Sequence, residues 1–260
     1  MKIATWNVNS IKARLPHLLA WLKAESPDIA LLQETKCTDD NFPRLELEDL
    51  GYNLAFHGEK SYNGVAILSK HPLEDVTRGL PGGDEDSQAR YIEAVVSVGN
   101  VAFRIASVYV PNGQSPDSEK FPYKLRFLER LRTHAARLLE YEEMLVIGGD
   151  YNVAPNPIDI YDPVRLNGTT CFHPEERTRL HALLHLGLYD AFRLRHPEPG
   201  QYTFWDYRAG AFDMNAGYRI DYLLLSPQAA DRLQDCKICK DIRALEKPSD
   251  HAPVLATFAV

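Results

Sequence analysis

The chain has 260 residues, with 36 Asp and Glu against 29 Lys and Arg, so it carries a formal net charge of −7 and a pI near 5.7. Domains that coat nucleic acid usually show a basic footprint with a pI above about 9, so the composition excludes a non-specific polyanion binder. The 45% hydrophobic and 25% charged residues match an ordinary globular protein, close to the roughly 250–300 residues at which one core stops growing. No stretch approaches the ~18 consecutive apolar residues of a membrane span, and Met1-Lys2-Ile3-Ala4-Thr5-Trp6-Asn7 turns polar too early for a signal peptide. Four cysteines are too few for a disulfide framework, which agrees with a reducing compartment. Cys236 and Cys239 form a lone C-x-x-C with no second Cys or His pair to complete a zinc site. The expectation is therefore a single domain over 1–260, cytoplasmic and monomeric, with no membrane association.

Short apolar runs alternate with amphipathic segments throughout. A first strand is expected at 2–7, followed by a helix opened by Pro16 and ended by Pro27, with Leu15, Leu18, Leu19 and Leu22 on one face. Further strands are expected at 29–33, 64–69, 91–98, 101–109, 145–149, 220–225 and 254–258, many nearly continuous and β-branched, as in strands buried on both faces. Between 121 and 139, Phe121, Leu125, Leu128, Leu131, Ala135 and Leu139 form a helical stripe. The remaining surface of that helix is basic: Lys120, Lys124, Arg126, Arg130, Arg132 and Arg137 face one acid, Glu129, a local charge of +5. A last helix begins at Pro174, with Glu175 and Glu176 in its first turn, and stops near Gly187. Strands and helices mix without strict β-α-β alternation, which suits two sheets packed face to face with helices outside.

Polar residues cluster where the apolar strands end: Asn7, Gln33-Glu34, Tyr109 and Asn112, Asp150 and Asn152, Asp221, and Asp250-His251. Loops on a rigid sheet are good carriers of function, and carboxylates and amides without thiolates are hard ligands suited to Mg²⁺, Mn²⁺ or Ca²⁺. Taken singly, Gly-Gly-Asp-Tyr-Asn and Ser-Asp-His are ordinary turn sequences. Glu34 and Asp221 are harder to dismiss, because each acid falls within or against an apolar run and needs a partner there. Four such acids with a histidine are best explained jointly by one metal-dependent site.

The segments TWNVNS (5–10), LLQETK (31–36), NGVAILSK (63–70), YVPN (109–112), GGDYNVAP (148–155), FWDYR (204–208), YRIDYLLLS (218–226) and EKPSDHAPV (246–254) together resemble the exonuclease III family of DNA-repair nucleases. That family sits in the wider endonuclease/exonuclease/phosphatase superfamily, and the resemblance runs in order along nearly the whole chain. It implies an α/β (α+β) fold, a four-layer αββα sandwich of two mixed sheets with the site at one edge. It also implies a metal neighbourhood of Asn7, Glu34, Asp150, Asn152, Asp250 and His251, filled by Mg²⁺ with Mn²⁺ as a substitute. Asp150 would handle the attacking water or the leaving oxygen, Asn152 would bond the nucleophile, and Asp221 would orient His251 on the scissile phosphate. Tyr109 and Asn112 would reach a phosphate oxygen. Phe204, Trp205, Tyr218 and Arg219 would lie against DNA, the aromatic trio around an extruded abasic sugar, while Cys171 falls where relatives differ in size.

The implied activity is hydrolysis 5′ to abasic sites and trimming of 3′ ends, including 3′-phosphates, on double-stranded DNA. Two other readings compete with it: an inositol-phosphate or lipid phosphoesterase of the same superfamily, and a DNA-binding scaffold with a decayed site. The basic helix, with Asp84-Glu85-Asp86 and the acids between Asp39 and Asp49 turned away from substrate, would confine DNA to one face despite the net charge.

Overall fold

The computed structural model describes residues 1–83 and 86–260; Asp84 and Glu85 lie outside the described residues. The chain runs β1 (Lys2–Asn7), α1 (Leu15–Glu25), β2 (Ile29–Gln33), α2 (Arg44–Glu48), β3 (Asn53–His57), β4 (Val65–Ser69), β5 (Glu74–Arg78) and β6 (Tyr91–Val98). It continues through β7 (Val101–Tyr109), α3 (Lys120–Leu139), β8 (Met144–Asp150), α4 (Pro174–Leu184), β9 (Tyr189–Asp190), β10 (Asp221–Leu225), α5 (Pro227–Ala230), β11 (Leu233–Ile238) and β12 (Val254–Phe258).

The strands form two mixed six-stranded sheets, in the orders β11-β12-β1-β2-β4-β3 and β5-β6-β7-β8-β10-β9. Alternation along each strand sends side chains to two different apolar layers. In β8, Val146 enters the layer between the sheets with Leu31, Ile67, Ile105 and Leu223, whereas Leu145 and Ile147 face α3 and α4 on the far side. In β1, Ile3 joins the central layer, while Ala4 and Trp6 pack under α1 against Leu18, Trp21 and Leu22. The result is the expected four-layer αββα sandwich.

Local signals account for the helix ends. Pro16 opens α1, and Ser26 closes it in the left-handed conformation just before Pro27. At the start of α4, His173 and Glu176 form a reciprocal capping box. Several elements have no counterpart in the expected pattern. β5 is a largely exposed edge strand of sequence Glu-Asp-Val-Thr-Arg, and β9 has only two residues, so neither carries an apolar run. β11 contains Cys236, whose side chain is buried in the central layer, and all four cysteines are free, which accounts for the C-x-x-C as packing. Among the described residues, no helix is long and apolar enough to cross a membrane.

Register brings the polar strand ends together. β1 and β2 run parallel with Asn7 beside Gln33, and β7 and β8 run parallel with Tyr109 beside Asp150. β10 is antiparallel to β8 and begins with Asp221 opposite Asp150, while β12 is antiparallel to β1 and is preceded by Asp250-His251. Ends of one direction and starts of the other therefore share one edge of both sheets. Glycine at 149 permits the tight β7–β8 approach, because a Cβ there would collide with the Val108 carbonyl oxygen.

Candidate active site

At that edge Glu34, Asp150 and His251 place one ligand atom each within 4.8 Å of one another. Asn7 bridges the two carboxylates, its side-chain N–H₂ donating to Glu34 Oε1 at 2.8 Å and to Asp150 Oδ2 at 2.9 Å. Asp221 accepts from His251 Nδ1 at 2.9 Å through Oδ2, and the other ring nitrogen lies 3.7 Å from Asp150 Oδ2. The imidazole thus lies between two buried carboxylates. Asn152 donates its main-chain N–H to Asp150 Oδ1 at 2.8 Å and its side-chain amide to the Val110 carbonyl at 3.0 Å, while Asn112 donates to Asn152 Oδ1 at 2.9 Å. Glu34 and Asn152 both have left-handed backbone, with φ of 50° and 51°, and such non-glycine strain is characteristic of functional loops.

The electrostatics follow from this packing. Burial raises the Asp150 pKa, and the nearby Asp221 and Glu34 carboxylates add to that, against the opposing effect of His251 and a hydrogen bond from Asn7. For His251 burial works the other way, yet Asp221 and Asp150 outweigh it, so its pKa rises and the ring is an imidazolium at neutral pH. Glu34 feels the desolvation of burial too, but Lys36, 2.7 Å from Oε2, and the Asn7 bond hold it below the usual carboxylate range. Burial and then the Glu34 and Asp150 charges push the Tyr109 phenol far up, so it is a hydrogen-bond donor at neutral pH.

A divalent cation fits this donor set. Two carboxylates, Glu34 and Asp150, converge with hard oxygens, and a cation would relieve the crowding of negative charge that raises Asp150. Of the expected ligand set, Glu34, Asp150 and His251 form the converging group, and the other three have partners of their own. Asn7 turns its amide oxygen to the Asn9 N–H at 3.0 Å and offers only donors to the carboxylates. Asn152 Oδ1 is taken by Asn112, and Asp250 Oδ1 accepts from Asn9 at 2.9 Å, outside the converging group.

From Ala4 in β1 to His251 beside Asp221, residues 4–251 match the endonuclease/exonuclease/phosphatase family. The chain belongs to that family. Exodeoxyribonuclease III of Haemophilus influenzae is 38% identical over 266 aligned residues, covering 99% of this chain and 100% of that protein. Among solved structures, a 3′ phosphatase from Neisseria bound to a product DNA hairpin has a TM-score of 0.96 with this chain at 42% identity. An AP endonuclease from Archaeoglobus fulgidus has a TM-score of 0.95, also at 42% identity, and each of these two covers 100% of both chains. The two-sheet sandwich is the fold of these enzymes.

Beside the acid cluster of this family member lies a cavity of about 520 Å³, walled by Phe204, Tyr218, Cys171, Asn112, Arg165 and Met214 among others. Phe204 pairs with Tyr218 and with His251 as isolated β-bridges, and its ring centre is 4.9 Å from the imidazole. Two residues expected to touch DNA do not reach this cavity. Trp205 is fully buried, its indole N–H donating to Asn215 and its main-chain N–H to the Asp250 carbonyl, so it supports the loop before His251. Arg219 is also buried, with Nε 2.7 Å from Asp159 and Nη1 2.7 Å from Asp190. Its charge is spent on holding the segment leading into Asp221.

The geometry also adds Lys36, Thr203 and Ser249 to the site and gives Gln33 a supporting place. Lys36 bridges Glu34 to Asn9 Oδ1 at 2.6 Å, Thr203 Oγ1 accepts from the Asp221 N–H at 3.2 Å, and Ser249 Oγ donates to the Asn7 carbonyl at 2.7 Å. Gln33, next to Glu34 in the chain, crosses between the sheets, donating to Ser107 Oγ at 2.9 Å. Gln33, Lys36 and Ser249 stand inside the segments LLQETK and EKPSDHAPV, so position in those segments is the available signal. Thr203 has no such signal.

Proposed function

We propose that the chain is a Mg²⁺-dependent DNA-repair phosphodiesterase that hydrolyses duplex DNA 5′ to abasic sites and trims 3′ ends, including 3′-phosphates. The observation that carries this reading is an imidazolium between two buried carboxylates, beside a second acid and an aromatic-walled cavity. Phosphodiester hydrolysis must remove a proton from water while an anion is attacked, so a base and an electrophile are needed together. Asp150, raised toward neutrality, accepts the proton of the attacking water at a carboxylate oxygen. Asn152 fixes that carboxylate through its main-chain N–H. His251 donates from Nε2 to a non-bridging phosphate oxygen, with its ring held by Asp221 on Nδ1. Tyr109 adds a second donor because its phenol stays protonated. Glu34 and Asp150 would hold the cation, whose chemistry is to offset charge on the phosphate and the departing oxygen.

The cavity favours an abasic sugar as the group accommodated beside the phosphate. Flipping a nucleotide out is least costly where the base is already missing, and Phe204 and Tyr218 offer apolar faces for a deoxyribose ring. An inositol polyphosphate needs several cations around it, whereas this wall combines Arg165 and Arg208 with the acid Asp206. A decayed scaffold would lack the acid and base groups that are paired here. We also place the protein in the cytoplasm as a single-domain monomer.

The test is a substrate panel at equal concentration: a duplex with one abasic site, a duplex with a 3′-phosphate, an intact duplex and inositol phosphates. Abasic and 3′-blocked duplexes should be processed fastest; turnover confined to inositol phosphates would refute the reading.

A further inference from the structure

Lys124 lies on the apolar face of α3, between Phe121 and Leu128, and is fully buried together with its partner Glu176 of α4. An ammonium has three N–H donors, and here each has an acceptor: the Asn112 carbonyl at 3.0 Å, the Asn152 carbonyl at 2.7 Å and Glu176 Oε1 at 2.5 Å. The other Glu176 oxygen accepts from the His173 N–H at 3.0 Å, which ties the ammonium to the start of α4. The loop after β7 closes on the lysine stem at Gly113, where a Cβ would sit 3.1 Å from Lys124 Cδ with φ at +86°.

A buried ion pair is a poor device for stability, since apolar residues of similar size often serve as well or better. Its value here is geometric. The two carbonyls belong to the two asparagines whose side chains bond each other beside Asp150. Asn152 is held in a left-handed conformation, and its N–H and side chain fix the Asp150 carboxylate. We propose that Lys124 is a positioning residue: its ammonium ties the Asn112 and Asn152 main chains into one unit and so sets the aim of Asp150 without touching substrate. This inference rests on the phosphodiesterase reading above.

The test replaces the pair as Lys124→Met with Glu176→Gln, which leaves no buried charge and retains an acceptor for the His173 N–H. Misplacement of a reacting group by about an ångström costs up to ~10²-fold in rate, so kcat on an abasic duplex should fall at least about tenfold while KM stays within about threefold. Amide hydrogen exchange should speed up in peptides spanning 110–118 and 150–156 and stay unchanged in α3 and α4. A kcat within about twofold of the native value, a KM rise that accounts for the loss, or unchanged exchange in both loops would overturn the proposal. Should the native protein itself fail to cut the abasic duplex, the phosphodiesterase reading falls, and the exchange measurement still decides whether Lys124 tethers the loops.

Discussion

Burial, reinforced by the Asp221 and Glu34 charges and opposed by His251, pushes the Asp150 pKa up to about 7 from an ordinary carboxylate value near 3.8. The folded state therefore keeps this proton over a range in which the unfolded chain has lost it, so rising pH between about 4 and 7 removes stability at this position. A cation held by the carboxylate must displace the same proton. The Mg²⁺-induced rise in Tm should consequently be larger at pH 8 than at pH 5.5, and Asp150→Asn should flatten that difference; an equal rise at both pH values would contradict the assignment. His251 has the opposite linkage: its raised pKa, about 10, contributes stability that is complete below the ordinary value near 6.5 and is lost as pH climbs through 10. Asp150→Asn and His251→Asn should each lower the cleavage rate at least ~10²-fold at temperatures where the variant is folded, with His251→Asn also losing stability because Asp221 is left buried without its cationic partner, and near-native turnover in either would move the base or the electrophile elsewhere. Both residues were legible in the sequence only jointly, as members of the set of polar strand ends in which Glu34 and Asp221 are acids in or against apolar runs that need partners. Their mutual spacing was not, since Asp150 ends a strand of one sheet and His251 precedes a strand of the other, and they meet only where the two sheets pack face to face.

The continuous apolar strands of both sheets were readable before the structure, with ends within a residue or so of those found. What escaped was set by tertiary context: a polar edge strand such as β5 has no apolar run, and β9 exists only because β10 offers it an edge. Context also reassigned side chains on correctly placed elements. The +5 of α3 is reduced to +3 by acids from outside the helix, because Lys124 pairs with Glu176 and Arg130 with Asp86, while Arg132 pairs with Glu129 of the helix itself. Asp86 is thereby engaged by α3, and it also accepts from the Tyr123 hydroxyl. Arg219 shows the same effect before β10, where the neighbouring Tyr218 faces the cavity and the guanidinium turns inward to Asp159 and Asp190. Removing one partner of a buried ionic cluster leaves uncompensated charge, so Arg219→Met should destabilise by about 3–5 kcal/mol in chemical denaturation. KM for DNA should stay near native at temperatures where the variant is folded; a large KM rise with little loss of stability would restore Arg219 as a DNA contact.

For the molecule as a whole, the −7 net charge and the partial neutralisation of α3 limit the positive charge available to grip a duplex. Affinity should come from the cavity and the phosphate at the cleavage point, with few contacts along the backbone. With about 0.9 counterions released per neutralised phosphate, the slope of log K against log salt should be shallower than about −4 between 50 and 200 mM. Fluorescence anisotropy of a catalytically blocked variant measures it, and a slope near −8 would indicate an extended basic surface. The most direct trial of the whole account is the chemistry of the cut. Mass analysis of a duplex carrying one abasic site, incubated with the native protein and Mg²⁺, should show a 3′-hydroxyl and a 5′-deoxyribose phosphate, with no product when chelator replaces the cation. Cleavage that persists in chelator, or a break on the 3′ side leaving an unsaturated sugar, would contradict it.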